Sequence, residues 1–260
     1  MDIAGDFGVL LGNYGIFYLQ GIAATILLSI VGTFGGLALG IFLAFGKKLQ
    51  PKGKRVSVQL WQWPIKVFCQ AYSIILRGTP MMVQAILFKY GTQMLGVKWT
   101  EILQGVPVFN GWMVAGLIVI TLNTTAYMGE IIQAGLNGVD KGQVEGARSL
   151  GMNDLQILFH VTLPQAIRNS IPTIGNEWIV NIKDSSVLNV ISVAELYFMG
   201  NSAASKGYRY FASYLIIALI YLTLTLIATG ILKMVEFKMD GKKSKFRFIN
   251  VLFHYKTKEA

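Results

Sequence analysis

Residues 21–45 carry no charged side chain. A helix of that length rises far enough to cross about 30 Å of hydrocarbon. Lipid offers no partner for a free backbone N–H or C=O, so such a stretch spans as a helix, which closes its hydrogen bonds within itself. This one segment confines the chain to a membrane and to helical architecture. Gly32, Gly35, Gly36 and Gly40 lie along it. Gly36 and Gly40 share a face, and a small pair at that spacing lets a second helix approach closely.

The rest of the chain repeats the pattern. Residues 56–95 read as one long span interrupted at Gly78 and Pro80, with Trp61 and Trp63 placed to sit at an interface. Broken helices at membrane depth survive only where they face protein or a water-lined cavity. Residues 111–136 form a third span, 164–193 a fourth with Pro172 near its start, and 211–234 the last. Residues 7–19 mix Phe, Tyr, Leu and Gly, are too short to cross, and are expected to lie along the interface as an aromatic-rich helix. Only 14% of the residues are charged, against about 25% in soluble domains. The expected fold is therefore all-α, a polytopic helical bundle with about five transmembrane helices. Its expected parts are an interfacial segment, 1–20; a membrane domain, 21–236; and a basic tail, 237–260. The first span itself directs insertion, because Asp2 and Asp6, and no basic residue, precede the apolar stretch.

Net charge is +10, and position decides its meaning. The block holding Lys47, Lys48, Lys52, Lys54 and Arg55 follows the first span, which marks that loop as cytoplasmic. Counting crossings puts the N-terminus outside, 96–110 outside, 137–163 inside, 195–210 outside and the basic tail inside. The two outer loops hold only Lys98, Lys206 and Arg209 as basic residues, so charge and crossing count agree. The tail reads as a lipid-contacting segment rather than a nucleic-acid binder. The single cysteine, Cys69, excludes an internal disulfide and reads as packing.

Polar groups inside the spans are candidate functional residues. Lys183 and Asp184 lie in a mostly apolar segment, where each costs about 2.5–3.5 kcal/mol at the bilayer centre. Either they face the bundle interior as a binding site, with Lys183 for a carboxylate and Asp184 for an amino group, or they form a structural pair at the outer end. Ser185, Ser186 and Asn189 add hydrogen-bonding groups. Asn123, Tyr127 and Glu130 share one face of the third span, as pore lining or as interhelical hydrogen bonds. Arg77, Thr79 and Gln84 surround the break at Gly78, as gate residues or, for Arg77, as a snorkelling side chain. No Cys/His cluster has metal-ligand spacing, and His160 reads as structural.

The polar inner segment 137–163 cannot span. Asp140 and Asn153 are plausible helix caps, Gly142 and Gly151 plausible breaks, and residues 143–150 a two-turn helix between them. Glu145 and Arg148 share a face, while Ala147, Leu150 and Met152 offer a small apolar surface that suits a groove in a partner. An ordinary connector is the alternative reading. Glu145 to Ala147 followed by Gly151 resembles the EAA loop of importer-type ATP-binding-cassette permeases, with Gly146 in place of the usual alanine. Residues 159–166 (FHVTLPQA), 77–84 (RGTPMMVQ) and 183–196 (KDSSVLNVISVAEL) resemble the polar-amino-acid branch of that family, which commonly has Thr where Ser185 stands. The resemblance covers roughly residues 14–234.

The resemblance implies a type I importer permease, MetI-like in fold, in the bacterial inner membrane. It implies that Gln143, Glu145, Ala147, Arg148, Leu150 and Gly151 dock into a cytoplasmic ATPase dimer that binds ATP and magnesium. It implies a second permease subunit, identical or homologous, and an extracytoplasmic solute-binding protein. The expected cargo is a polar amino acid such as glutamine, arginine or histidine. The chain has no glycine-rich nucleotide loop, so no cofactor is expected in it and hydrolysis is expected elsewhere. A self-sufficient ion-coupled carrier or channel using Lys183, Asp184 and Glu130 is the alternative.

Overall fold

The computed structural model describes residues 3–49, 56–103 and 109–239. Lys52, Lys54 and Arg55 of the basic loop, and the tail from residue 240 on, lie outside them. The described residues hold nine α-helices joined by short 3-10, π and turn segments, and no strand.

Helix α1 runs unbroken over Ile3–Lys48. The expected division at residue 20 is therefore absent: the aromatic N-terminal stretch is the first part of the spanning helix, because nothing between residues 7 and 21 interrupts helical hydrogen bonding. Helix α2 (Val56–Gly78) and α3 (Met81–Met94) meet at Gly78 and Pro80 with a bend of 112°. Pro80 N-caps α3 with extended backbone, as a residue without an N–H can. Helix α4 (Gly111–Asn137) is capped by Asn110, whose side chain accepts from the Met113 N–H. Helices α5 (Lys141–Ser149) and α6 (Asp154–Ile157) make the polar inner segment, followed by a π-turn at Leu158–Thr162. Helix α7 (Leu163–Asp184) runs into a 3-10 turn at Ser185–Ile191. Helix α8 (Leu196–Gly207) occupies the stretch expected as a loop, and α9 (Tyr210–Met239) closes the chain. Glu195 starts α8 by accepting from the Tyr197 and Phe198 N–H groups. That cap explains why so short a segment is helical.

Among the described residues, three helices are long and apolar enough to cross a membrane, α1, α4 and α9; the bent α2–α3 pair makes a fourth if it counts as one span. Helix α7, expected as a crossing, falls short because Arg168, Asn169, Asn176, Glu177, Asn181, Lys183 and Asp184 dilute it. It packs nevertheless against α1, α4 and α9.

The tightest seam joins α1 to α4. A Cβ on Gly40 would sit 2.6 Å from Met128 Cβ and 2.9 Å from the Gly129 backbone nitrogen, and one on Gly36 2.7 Å from Thr124 Cγ2. The small pair read from the sequence is the contact itself. Asn181 ties three helices together, donating to Thr33 Oγ1 of α1 (2.9 Å) and accepting from Thr124 Oγ1 of α4 (3.1 Å). Such polar pairs replace a hydrophobic driving force that lipid cannot supply. An inner apolar cluster of Ala44, Ile132, Leu136, Val139 and Ala166, with Val144 packed on it, seats α5 against the end of α4.

Candidate functional site

The first candidate group stands where α1, α2 and α4 meet. Glu130 lies two turns before the end of α4. Its Oε1 accepts from Lys47 Nζ (2.7 Å), Arg77 Nη1 (2.8 Å) and Ser73 Oγ (3.1 Å). The Lys47 side chain is 6% exposed and Glu130 38%, so the Lys47 charge depends on this carboxylate while Glu130 still faces open space. The Arg77 guanidinium also lies 5.8 Å from the Tyr127 ring centre. One turn past the break, Gln84 Nε2 donates to Leu76 O, Thr79 O and Thr79 Oγ1 at 2.8–2.9 Å. Its Oε1 accepts from Asn123 Nδ2 of α4 (2.9 Å). Six of the sequence candidates thus stand at one polar junction in two bonded sets, Arg77 with Tyr127 and Glu130, and Thr79 with Gln84 and Asn123. Its visible bonds are interhelical. The cavity beside it, about 430 Å³, is lined by Tyr72, Ile75, Leu76, Thr79, Gln84 and Leu122 among others and is almost wholly apolar.

The second group lies on α7. Lys183 is exposed and Asp184 half-buried, and among the described residues neither forms a salt bridge. The expected structural pair is therefore not made. Ser185 is buried and donates to Ile182 O, and Ser186 donates to Lys183 O. Asn189 donates to Ser186 O. These bonds close the helix end; Ser185 is turned inward, while Ser186 and Asn189 stay partly exposed. Glu177, which sequence reasoning passed over, is half-buried, seven residues before Asp184 on the same face, and also without a salt bridge among the described residues. The signal was present: an ionisable residue inside an expected span. Further along, Asn169 and Thr173 face Glu130 across a groove of about 440 Å³ between α7 and α4, floored by Gly135 and Gly138. An exposed polar stripe on a helix packed in a membrane bundle suits water or a polar solute, not lipid.

The third group is the inner segment. Asp140 and Asn153 cap as expected, Asn153 within a capping box completed by Gln156. Gly151 has φ +79°, a left-handed turn that favours glycine. Gly142 does not end a helix but sits inside the first turn of α5, its N–H on the Asp140 carboxylate (2.6 Å). Arg148 pairs with Asp154 (3.0 Å) rather than with Glu145. Ala147 is buried, so it does not belong to the outward surface expected with Leu150 and Met152. The surface that faces out carries Gln143 and Glu145, then Leu150 (84% exposed), Leu155 and Phe159. Beneath it a concavity of about 540 Å³ is bordered by Lys48, Lys141, Glu145, Arg148 and Asp154.

Lys47 and Ser73 are the other residues that sequence reasoning missed. Lys47 was one cation in a basic block; the structure buries it under Glu130. Ser73 shares a helix face with Arg77, a signal too weak to single it out. His160 is exposed, with Nδ1 3.0 Å from Gln156 O.

Comparison with known proteins places this architecture. The sequence profile of the family described as "binding-protein-dependent transport system inner membrane component" matches residues 36–241. The arginine transport system permease protein ArtQ of Bacillus subtilis is 33% identical over 226 residues, 86% of this chain and 93% of that protein. A crystal structure described as an amino acid ABC transporter with histidines superposes with a TM-score of 0.72 at 34% identity, over 88% of this chain and 96% of that one. An inward-facing MetNI methionine ABC transporter superposes with a TM-score of 0.67 at 14% identity, over 86% and 96%, and shows the fold alone.

Proposed function

The chain belongs to the family of binding-protein-dependent transport system inner membrane components, and from that premise we propose that it is the permease subunit of an ATP-binding-cassette importer for a polar amino acid. The carrying observation is the inner segment: α5 is capped, seated on the end of α4 by Val139 and Val144, and still presents Gln143, Glu145, Leu150, Leu155 and Phe159 outward. A rigid junction with an exposed apolar tip is what a helix needs to fit a partner's groove and pass force inward. In this reading the partner is a cytoplasmic ATPase dimer, which binds ATP and magnesium. A second permease subunit, identical or homologous, completes the pore. An extracytoplasmic solute-binding protein delivers the cargo, and lipids surround α1 and α9. The orientation follows the basic residues: N-terminus outside, inner segment and tail in the cytoplasm.

Helix α7 supports the choice of cargo. Glu177 and Asp184 are two carboxylates on one face with no salt-bridge partner among the described residues, and Lys183 is exposed beside them. A solute carrying an ammonium and a carboxylate complements that set, with the carboxylates on the cation and Lys183 on the anion. The groove between α7 and Glu130 continues the route inward.

The test is reconstitution in liposomes with the ATPase and binding protein that accompany it. Uptake of arginine, histidine or glutamine that depends on enclosed ATP and on the binding protein is expected. Gradient-driven flux by the chain alone would overturn the reading. Within an active complex, Asp184→Asn is expected to cut uptake several-fold with assembly unchanged, and equal uptake kinetics would remove Asp184 from the solute path.

A further inference from the structure

We infer that the Arg77–Glu130 ion pair is a drive link, which carries movement of the inner segment to the bend between α2 and α3 and makes that bend the moving part of the route. The inference rests on the importer reading above.

The chain of contact is continuous. Three residues separate α4 from α5, and Val139, in that short connection, is buried in the same cluster as Ile132 and Leu136 of α4. The two helices therefore move together. Among the described residues Glu130 is the last side chain of α4 to hydrogen-bond another helix before that junction, and Arg77 is the residue immediately before Gly78. A Cβ at Gly78 would meet nothing within 4 Å. Gly78 is thus not required by crowding; it leaves the chain free to turn.

Helix α4 holds both sides of the bend, and unequally. On the α2 side its grip is ionic, Glu130 to Arg77, reinforced by Ser73 and by Tyr72 donating to Leu122 O (2.7 Å). On the α3 side, Asn123 bonds Gln84 near the bend, and farther along Lys89 lies over the Trp112 ring (4.7 Å) and Ala85 is buried with Met113 and Val119 of the outer half of α4. Charge-assisted bonds are roughly twice as strong as neutral ones. A shift of the inner half of α4 therefore carries the end of α2 with it while the outer half keeps α3, so the angle at the bend changes. Gln84 then retains its bonds to Leu76 and Thr79, which guide how α3 turns, and the apolar cavity in the angle of the bend gives it room. Lys47 is a positioning residue here: it holds the Glu130 carboxylate in place from α1.

The decisive measurement is hydrogen–deuterium exchange of the assembled complex, with and without a non-hydrolysable ATP analogue. In the parent complex, exchange is expected to change both at 137–150 and at 76–86. In Arg77→Gln the change at 137–150 is expected to remain and that at 76–86 to vanish. ATP consumed per solute is expected to rise by about tenfold, within the coupling range of one switching contact. The exchanged pair Arg77→Glu with Glu130→Arg is expected to restore both readouts, and it serves if the single variant does not assemble. Should 76–86 still respond to nucleotide in Arg77→Gln, or in an exchanged pair that has lost the ion pair, the link is wrong. Should 137–150 in the parent ignore nucleotide, the importer reading itself falls.

Discussion

Glu130 is shared by two cations, and removing its charge has a cost that can be assigned. In Glu130→Gln, Lys47 stays buried with no anion beside it. Leaving a buried charged group without its partner costs more than the roughly 1–3 kcal/mol of a neutral one, so the melting temperature in detergent is expected to fall. Adding Lys47→Met removes the orphan charge and is expected to recover most of that loss. A single variant as stable as the parent would show that water, not Glu130, satisfies Lys47. Most of this junction was legible as residue types: Arg77, Thr79, Gln84, Asn123, Tyr127 and Glu130 all stood out as polar groups in apolar runs. What the sequence could not show was who pairs with whom. Lys47 and Glu130 are 83 positions apart, and only the α1–α4 seam brings them together. Glu177 shows the converse, a signal present in the sequence but overshadowed by its more conspicuous neighbours Lys183 and Asp184.

Among the elements, the glycines separate into those that make room and those that make turns. Gly40→Leu would drive a side chain into the α4 backbone. Overpacking costs about 1–3 kcal/mol even where side chains can shift. Here backbone cannot, so little folded protein is expected by size-exclusion chromatography. Gly146→Ala in α5 meets nothing within 4 Å. It is expected to stabilise that helix by about 0.5–1 kcal/mol and to leave transport intact; a loss of transport would show that the residue contacts a partner directly. Gly151→Ala forces a Cβ into the left-handed region at a cost of about 1–2 kcal/mol, and is expected to raise hydrogen exchange around 149–153. Helix boundaries followed apolar runs and caps closely, as α4 and the capping box at Asn153 show. The misses were α8 and the join of residues 7–19 to α1. In both, helix formation depends on contacts made elsewhere: the Glu195 cap also accepts from Tyr221 of α9 (2.6 Å), and Leu10 and Tyr18 pack with Leu196 and Ile216.

At the scale of the whole molecule, apolar surface and polar stripe divide the labour. Helices α1 and α9 supply the lipid-compatible exterior, and α4 and α7 the polar interior. That division explains why α7 fails a test of apolar length although it packs among the long apolar helices: a helix that faces water or solute need not be apolar. Lipid-facing positions such as Phe34, Phe42 and Leu222 are exposed and apolar, and a charge there is expected to reduce membrane insertion. The polar Asn169 and Thr173 are expected to tolerate substitution by Asp or Lys in insertion assays, because they do not face lipid. Poor insertion of Thr173→Asp would place that stripe against acyl chains and undo the division.

The length of α1 has its own result. It is pinned near its start, where Arg209 Nε reaches Asp6 Oδ1 (2.5 Å), and at its other end, where Lys47 meets Glu130. At 1.5 Å per residue it is about 70 Å long, far more than the hydrocarbon thickness. Its middle packs on α4 at Gly36 and Gly40, so the Asp6 and Lys47 ends are spaced by one continuous helix rather than by a chain of separate contacts.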